Sequence, residues 1–180
     1  MATIDNFAVF ILTHGRPDRV ITYRTLRKQG YTGDVYIIID NEDKTANEYR
    51  QRFGDKVIVF DKLATSKTFD TADNSDDRRT VVYARNACFG IAQELGLDYF
   101  LQLDDDYVAF WWKFDASLRF ADRRVQNLDS LFRVMLEYYQ SLDAICIAFA
   151  QNGDLIGGKR SSILKYLRIK RKCMNTFFCS

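Results

Sequence analysis

Apolar and polar positions alternate along the first hundred residues in blocks of two kinds. Phe7 to Thr13 is a nearly continuous apolar run, the pattern of a strand covered on both faces, and it ends in His14-Gly15-Arg16-Pro17. Pro17 suits the first turn of a helix, Val20, Tyr23 and Leu26 follow at helical spacing, and Gly30 marks the stop. Val35–Ile39, closed by Asp40, predicts a second strand, and Val57–Phe60 a third, with a short helix over Thr45–Phe53 between them. Asp61 to Arg79 is polar and predicts a loop. Thr80 to Leu95 predicts a helix with Val81, Ala84, Cys88, Ile91 and Leu95 inward, and Tyr99–Leu103 a fourth strand. This alternation predicts an α/β fold, a mostly parallel central sheet with helices on both faces. The later part is less regular: a strand over Val108–Phe114, a helix over Asn127–Tyr139 with Leu128, Leu131, Phe132 and Met135 inward, and a strand over Ala144–Ala150.

Length and composition then bound the chemistry. The 180 residues suit one domain, and 47% hydrophobic with 28% charged residues exclude disorder and a small disulfide scaffold. A net charge of +2 steers no class of partner by itself. His14 is the sole histidine, which excludes a metal site built from several imidazoles of this chain. Cys88, Cys146, Cys173 and Cys179 have no CxxC spacing and follow no secretory signal, and no apolar run reaches membrane-spanning length. The expectation is a soluble cytoplasmic protein with reduced thiols.

Ligands of such sheets bind outside the carboxyl ends of the strands, which directs attention to Thr13–Arg16, Asp40 and the residues after Leu103. Asp104-Asp105-Asp106 is the sharpest feature there. Alternate residues of an extended chain share a face, so Asp104 and Asp106 converge while Asp105 points elsewhere. Their mutual repulsion is relieved by Mg²⁺ or Mn²⁺, which takes one or two carboxylates and completes its shell with water and phosphate oxygens. Arg85 reads either as a diphosphate contact or as a helix-flank arginine. Asp40 reads as a base or ribose acceptor or as a turn cap. The Thr13-His14-Gly15-Arg16 turn presents N–H groups and a cation near a helix start, which favours an anion. GxGxxG and GxxxxGK[ST] are both missing.

FAVFILTHGRPDRV, VYIIIDNED and VVYARNACFGIAQELGLDYFLQLDDDY, in that order, resemble the nucleotide-sugar half of GT-A glycosyltransferases. In texture they are most similar to the TET-associated DNA-base glycosyltransferases of phages and hypermodification systems. Residues 7–110 carry the motifs, and Lys172-Cys173-Met174-Asn175-Thr176-Phe177-Phe178 resembles a later family segment. The resemblance implies a GT-A-like, Rossmann-like sheet and a UDP-sugar donor, with glucose first. It also implies Mn²⁺ or Mg²⁺ at a DXD motif, and DNA containing a 5-hydroxymethylpyrimidine such as 5-hydroxymethylcytosine as acceptor. A phage-encoded chain would act in the host cytoplasm. On matching positions, Thr13, His14, Arg16 and Asp40 would surround the nucleotide, Arg85 would stabilise the diphosphate leaving group, Asp104 would hold ribose or metal, and Asp106 the metal. One domain over residues 1–180 would divide into a nucleotide-sugar half, 1–110, and the start of an acceptor-side half, 111–180. The family pattern continues past the Met-Asn-Thr-Phe-Phe segment, so the catalytic base and part of the acceptor site are expected beyond Ser180.

Two other readings stand beside this one. A metal-dependent nucleotidyltransferase would keep the fold but needs a basic loop for a triphosphate, hinted at only by Arg16. A non-catalytic nucleic-acid-binding module would use Lys159–Lys172, which carries seven cations and no acid.

Overall fold

Strand β1 (Phe7–Leu12) is buried at all six positions because it lies inside the sheet, with parallel neighbours on both sides: β2 (Asp34–Asp40) and β4 (Tyr99–Asp104). The computed structural model describes residues 6–70, 80–150 and 176–180. Strand β3 (Val57–Phe60) extends the parallel set beyond β2. On the other side β8 (Phe177–Cys179) pairs antiparallel with β4, and β7 (Cys146–Ile147) pairs antiparallel with β8. The six-stranded order is β3-β2-β1-β4-β8-β7, the mostly parallel α/β sheet expected from the alternation.

Pleating divides the core into two layers. Phe7, Val9 and Ile11 of β1 pack with Leu26 of α1 (Ile21–Lys28), Tyr49 of α2 (Ala46–Phe53) and Phe132 of α5 (Leu128–Gln140). Ala8, Phe10 and Leu12 face the opposite way, onto Tyr83, Cys88 and Ile91 of α4 (Val82–Glu94). Helices therefore cover both faces. Asn127 caps α5 by accepting from Ser130 N at 2.9 Å, and Gly30, at φ +82°, lets the chain leave α1.

The differences from expectation have local causes. Pro17–Arg19 forms a separate 3₁₀ turn ahead of α1. The stretch after Asp61 begins with a helix, α3 (Lys62–Ser66), because the Asp61 side chain accepts from Ala64 N and caps it; residues 71–79 lie outside the described residues. In α4 the buried residues are Tyr83, Cys88, Ile91 and Ala92, while Val81 and Leu95 flank the helix and are 48% and 39% exposed. The strand expected over Val108–Phe114 is shorter, β5 (Trp111–Phe114), and lies outside the main sheet in a two-stranded antiparallel ribbon with β6 (Phe120–Arg124), which the apolar pattern did not predict. The strand expected over Ala144–Ala150 contracts to β7 because only two residues find a partner, β8.

Gln29, buried just after α1, ties the ribbon to the body. Its side-chain amide donates to the carbonyls of Phe110 (2.9 Å) and Val125 (2.6 Å), its side-chain oxygen accepts from Phe110 N (2.8 Å), and its own carbonyl accepts from Leu128 N. Both feet of the ribbon are thus fixed to one side chain, and the start of α5 to the backbone of the same residue.

Candidate active site

The carboxyl ends of β1, β2, β3 and β4 open onto one cleft of about 870 Å³. Thr13, His14 and Arg16 enter from β1, Asp40 and Glu42 from β2, Phe60 and Lys62 from β3, and Asp104, Asp105 and Asp106 from β4. Thr80, Val81 and Ala84, at the start of α4, supply one wall. Parallel strands make this convergence unavoidable, since every chain leaving the sheet at that edge must turn there.

One side of the cleft is held together around Asp105, which is 1% exposed. The Thr13 hydroxyl donates to Asp105 Oδ2 at 2.6 Å and lies 2.9 Å from the Tyr49 hydroxyl, which accepts from Arg16 N at 3.0 Å. Arg16 Nε closes the loop on Asp105 Oδ2 at 2.8 Å while half of its side chain stays exposed. Burial pushes the Tyr49 phenol above its ordinary value, so it remains a donor. The result is a cation aimed by a buried carboxylate, with further guanidinium N–H groups open to the cleft.

Around Asp40 the arrangement is different. His14 Nδ1 lies 2.7 Å from Asp40 Oδ2, and Lys62 Nζ lies 3.4 Å from the same oxygen. Glu42 N donates to Oδ1 at 3.1 Å. Asp43 shapes the turn beneath: it accepts from Gly15 N (2.7 Å), Thr45 N (2.8 Å) and Thr45 Oγ1 (2.6 Å). Burial pulls the Asp43 carboxyl upward, and these hydrogen bonds outweigh it and hold the group below its ordinary value. Gly15 at φ +67° lets the strand-end turn present its N–H to that carboxylate.

Asp104, the last residue of β4, pairs with Arg85 Nη2 at 2.8 Å. Burial raises its carboxyl above the usual range; Arg85 opposes that, and Asp106 and Asp105 add to it. A hard divalent cation fits this chemistry. The aspartates offer oxygen donors to one cleft, and the exposed Asp106 has no cationic partner among the described residues, whereas Asp104 and Asp105 are paired with Arg85 and Arg16. No group of three or more His, Cys, Asp or Glu among the described residues is arranged to hold a metal ion by itself, so the rest of a shell would come from water or ligand oxygens. Mg²⁺ and Mn²⁺ characteristically leave such positions to phosphate and water.

Thr13, His14, Arg16, Asp40, Asp104 and Asp106 all line the cleft. Arg85 lies behind it: its side chain is 16% exposed, its guanidinium sits 4.7 Å from the Phe177 ring, and Nη1 is buried with no hydrogen-bond partner. It meets the site through Asp104. Asp105 also lines the cleft, because β4 ends at Asp104 and strand alternation does not extend into the turn. Lys62, Asp43 and Tyr49 were not read from sequence. The capping Asp61 signals a helix start that would have placed Lys62 at a strand end. Lys159–Lys172 lie outside the described residues.

No helix among the described residues is long and apolar enough to cross a membrane. Neither the curated proteins nor the solved structures contain a match to the chain. The family model of the TET-associated glycosyltransferases, however, spans residues 7–180, which takes in every strand and every cleft residue described above, and the chain belongs to that glycosyltransferase family.

Proposed function

We propose that the protein moves a sugar, glucose first, from a UDP-sugar to the hydroxymethyl oxygen of a 5-hydroxymethylpyrimidine in DNA, with Mn²⁺ or Mg²⁺ at Asp104 and Asp106. The supporting observation is the division of one strand-end cleft into two chemically distinct ends. Asp40, His14 and Lys62 form a hydrogen-bonding end suited to a base and ribose, and Asp104–Asp106 form an acidic end facing the half-exposed guanidinium of Arg16. A nucleoside diphosphate lies naturally across such a pair.

In this reading Asp40 accepts a hydrogen bond from the base or ribose, and Thr13 and Tyr49 hold the turn that presents Arg16. Arg16, aimed by Asp105, donates to the diphosphate as negative charge grows on the departing oxygen. Arg85 fixes the Asp104 carboxylate in orientation and so serves the leaving group from behind. Asp104 and Asp106 would hold the cation, which would supply positive charge to the diphosphate leaving group. The acceptor hydroxyl oxygen bonds to the anomeric carbon as the carbon–oxygen bond to UDP breaks, its proton passing to water or to the departing diphosphate, and a base within a duplex reaches that carbon by leaving its stack or by close approach of the groove.

The test pairs donor and acceptor. The protein is incubated with individual UDP-sugars and Mn²⁺, with hydroxymethylated or unmodified duplex, and nucleosides are read by mass spectrometry. Glycosylated hydroxymethylpyrimidine, dependent on metal, is the expected product. UDP release with no modified nucleoside would overturn the acceptor, and the lack of any melting-temperature rise with UDP and Mn²⁺ would overturn the donor.

A further inference from the structure

We propose that the β5–β6 ribbon is the arm that grips duplex DNA, with Arg119, Arg123 and Arg124 on phosphates and Trp112 stacked on a base. The inference rests on the DNA acceptor proposed above and adds the surface that would hold it.

The ribbon exposes what a soluble surface ordinarily covers. Trp111 and Trp112 are 39% and 48% exposed, and they are the only tryptophans in the chain. Trp111 lies opposite Arg124 and Trp112 opposite Arg123 in the antiparallel register. Opposed residues share a face and consecutive ones alternate, so each face carries one tryptophan and one arginine. On the first face the Arg124 guanidinium sits 5.1 Å from the Trp111 ring, and Lys113 Nζ lies 5.7 Å from the same ring. On the second face no cation covers Trp112 among the described residues.

The charge balance identifies the partner. The ribbon's two acids are already engaged: Asp122 with Lys113 at 2.8 Å, and Asp115 as acceptor for Ser117 N and Arg119 N in the turn. Arg119, Arg123 and Arg124 are exposed and have no carboxylate partner among the described residues. Exposed arginines interleaved with exposed tryptophans, of which Trp112 has no cation over its ring among the described residues, match a polyanion whose bases offer π-faces. A two-stranded ribbon also fits the major groove, the side on which the C5 substituent of a pyrimidine projects. Placement agrees: Trp111 follows Asp106 by five residues, a reach of about 17 Å at most, and Gln29 pins both feet of the ribbon.

The full chain is titrated with hydroxymethylated duplex at several salt concentrations, by anisotropy of labelled DNA and by intrinsic tryptophan fluorescence. Because both tryptophans stand on the ribbon, quenching on DNA addition reports this element alone. Trp112→Ala should weaken binding about 5- to 100-fold, with Trp112→Phe restoring most of it. Replacing Arg119, Arg123 and Arg124 by Gln should lower the log–log salt slope by about 2 to 3. Melting temperature and the UDP–Mn²⁺ shift should match the wild type in all of them, since none lines the cleft. Unchanged affinity and slope, with no quenching, would overturn the arm while leaving the acceptor reading in place. A wild-type chain that binds UDP and no duplex would overturn the acceptor reading and the arm together.

Discussion

Removing the Asp105 carboxylate tests the way the cleft is built. In Asp105→Ala the Thr13 hydroxyl loses its acceptor at 2.6 Å and Arg16 Nε loses its acceptor at 2.8 Å. The backbone of the turn has independent support: Thr22 N donates to the Asp105 carbonyl, Thr22 Oγ1 donates to the Asp104 carbonyl, and Tyr107 N donates to Thr22 Oγ1. The loss is therefore confined to the side chain. A buried hydrogen bond to a charged acceptor contributes about 1.5–3 kcal/mol. The Arg16 pair adds about 0–1 kcal/mol, because a half-exposed guanidinium turns to water when released. The expected cost is about 2–4 kcal/mol, or about 5–15 °C in melting temperature for a chain of this length. Asp105→Asn retains an acceptor for Thr13 and should cost about half as much. Calorimetry with and without UDP and Mn²⁺ reads both effects. UDP affinity should fall by roughly tenfold as Arg16 loses its aim. An Asp105→Ala protein that melts at the wild-type temperature and binds UDP equally well would refute the idea that this carboxylate organises the cleft.

Three further outcomes follow from neighbouring groups. Asp106 is exposed, so Asp106→Asn should leave melting within about 0.5 kcal/mol of wild type while abolishing the Mn²⁺-dependent rise with UDP in a thermal-shift titration. Arg85→Ala strands the partly buried Asp104 and vacates the space beside Phe177; it should cost about 1–3 kcal/mol by calorimetry and also slow UDP release in a turnover assay. Asp43 titrates below its unfolded value of 3.8, so its stabilisation is present above that pH and is lost as pH falls through the folded value. Urea midpoints measured between pH 5 and pH 3 should therefore fall less steeply in Asp43→Asn than in wild type.

The four parallel strands were legible because their apolar runs are dense, buried on both faces in β1, β2 and β4 and partly buried in the edge strand β3, and the strand-end rule then located Thr13, His14, Arg16, Asp40 and the aspartate triplet. Burial gave no such signal for β6, whose sequence FADRR lies half in solvent and pairs only with β5. Strand β8 has three residues, too few for a period to declare itself, and it belongs to the sheet through a distant partner. The Asp105 carboxylate turns away from the Arg85 partner of Asp104, toward Thr13 and Arg16, and strand alternation alone does not reveal that this residue also borders the cleft. Lys62 and Asp43 were hidden for another reason. Each is tied to the cleft by a hydrogen bond made across the fold, Lys62 N to Asn41 Oδ1 and Gly15 N to Asp43 Oδ2; such contacts leave no mark on local spacing, and the Asp61 cap is the one local sign of Lys62.

The antiparallel pairing of β8 with β4 also dictates when this sheet can be closed. Phe100 is held opposite Cys179, a partner about 80 residues away in the chain, and Phe178 is completely enclosed between layers. While a ribosome is still producing residues short of 179, β1 to β4 can assemble, yet the flank of β4 next to the aspartate triplet stays bare. That flank is an adhesive edge during synthesis. Strand β8 lies more than 70 residues beyond β4 in the chain, so during synthesis the nascent chain passes through a stage in which β1 to β4 are available and the sheet is unsealed. Production in a heterologous host should accordingly profit from slower translation, lower temperature or chaperone supply.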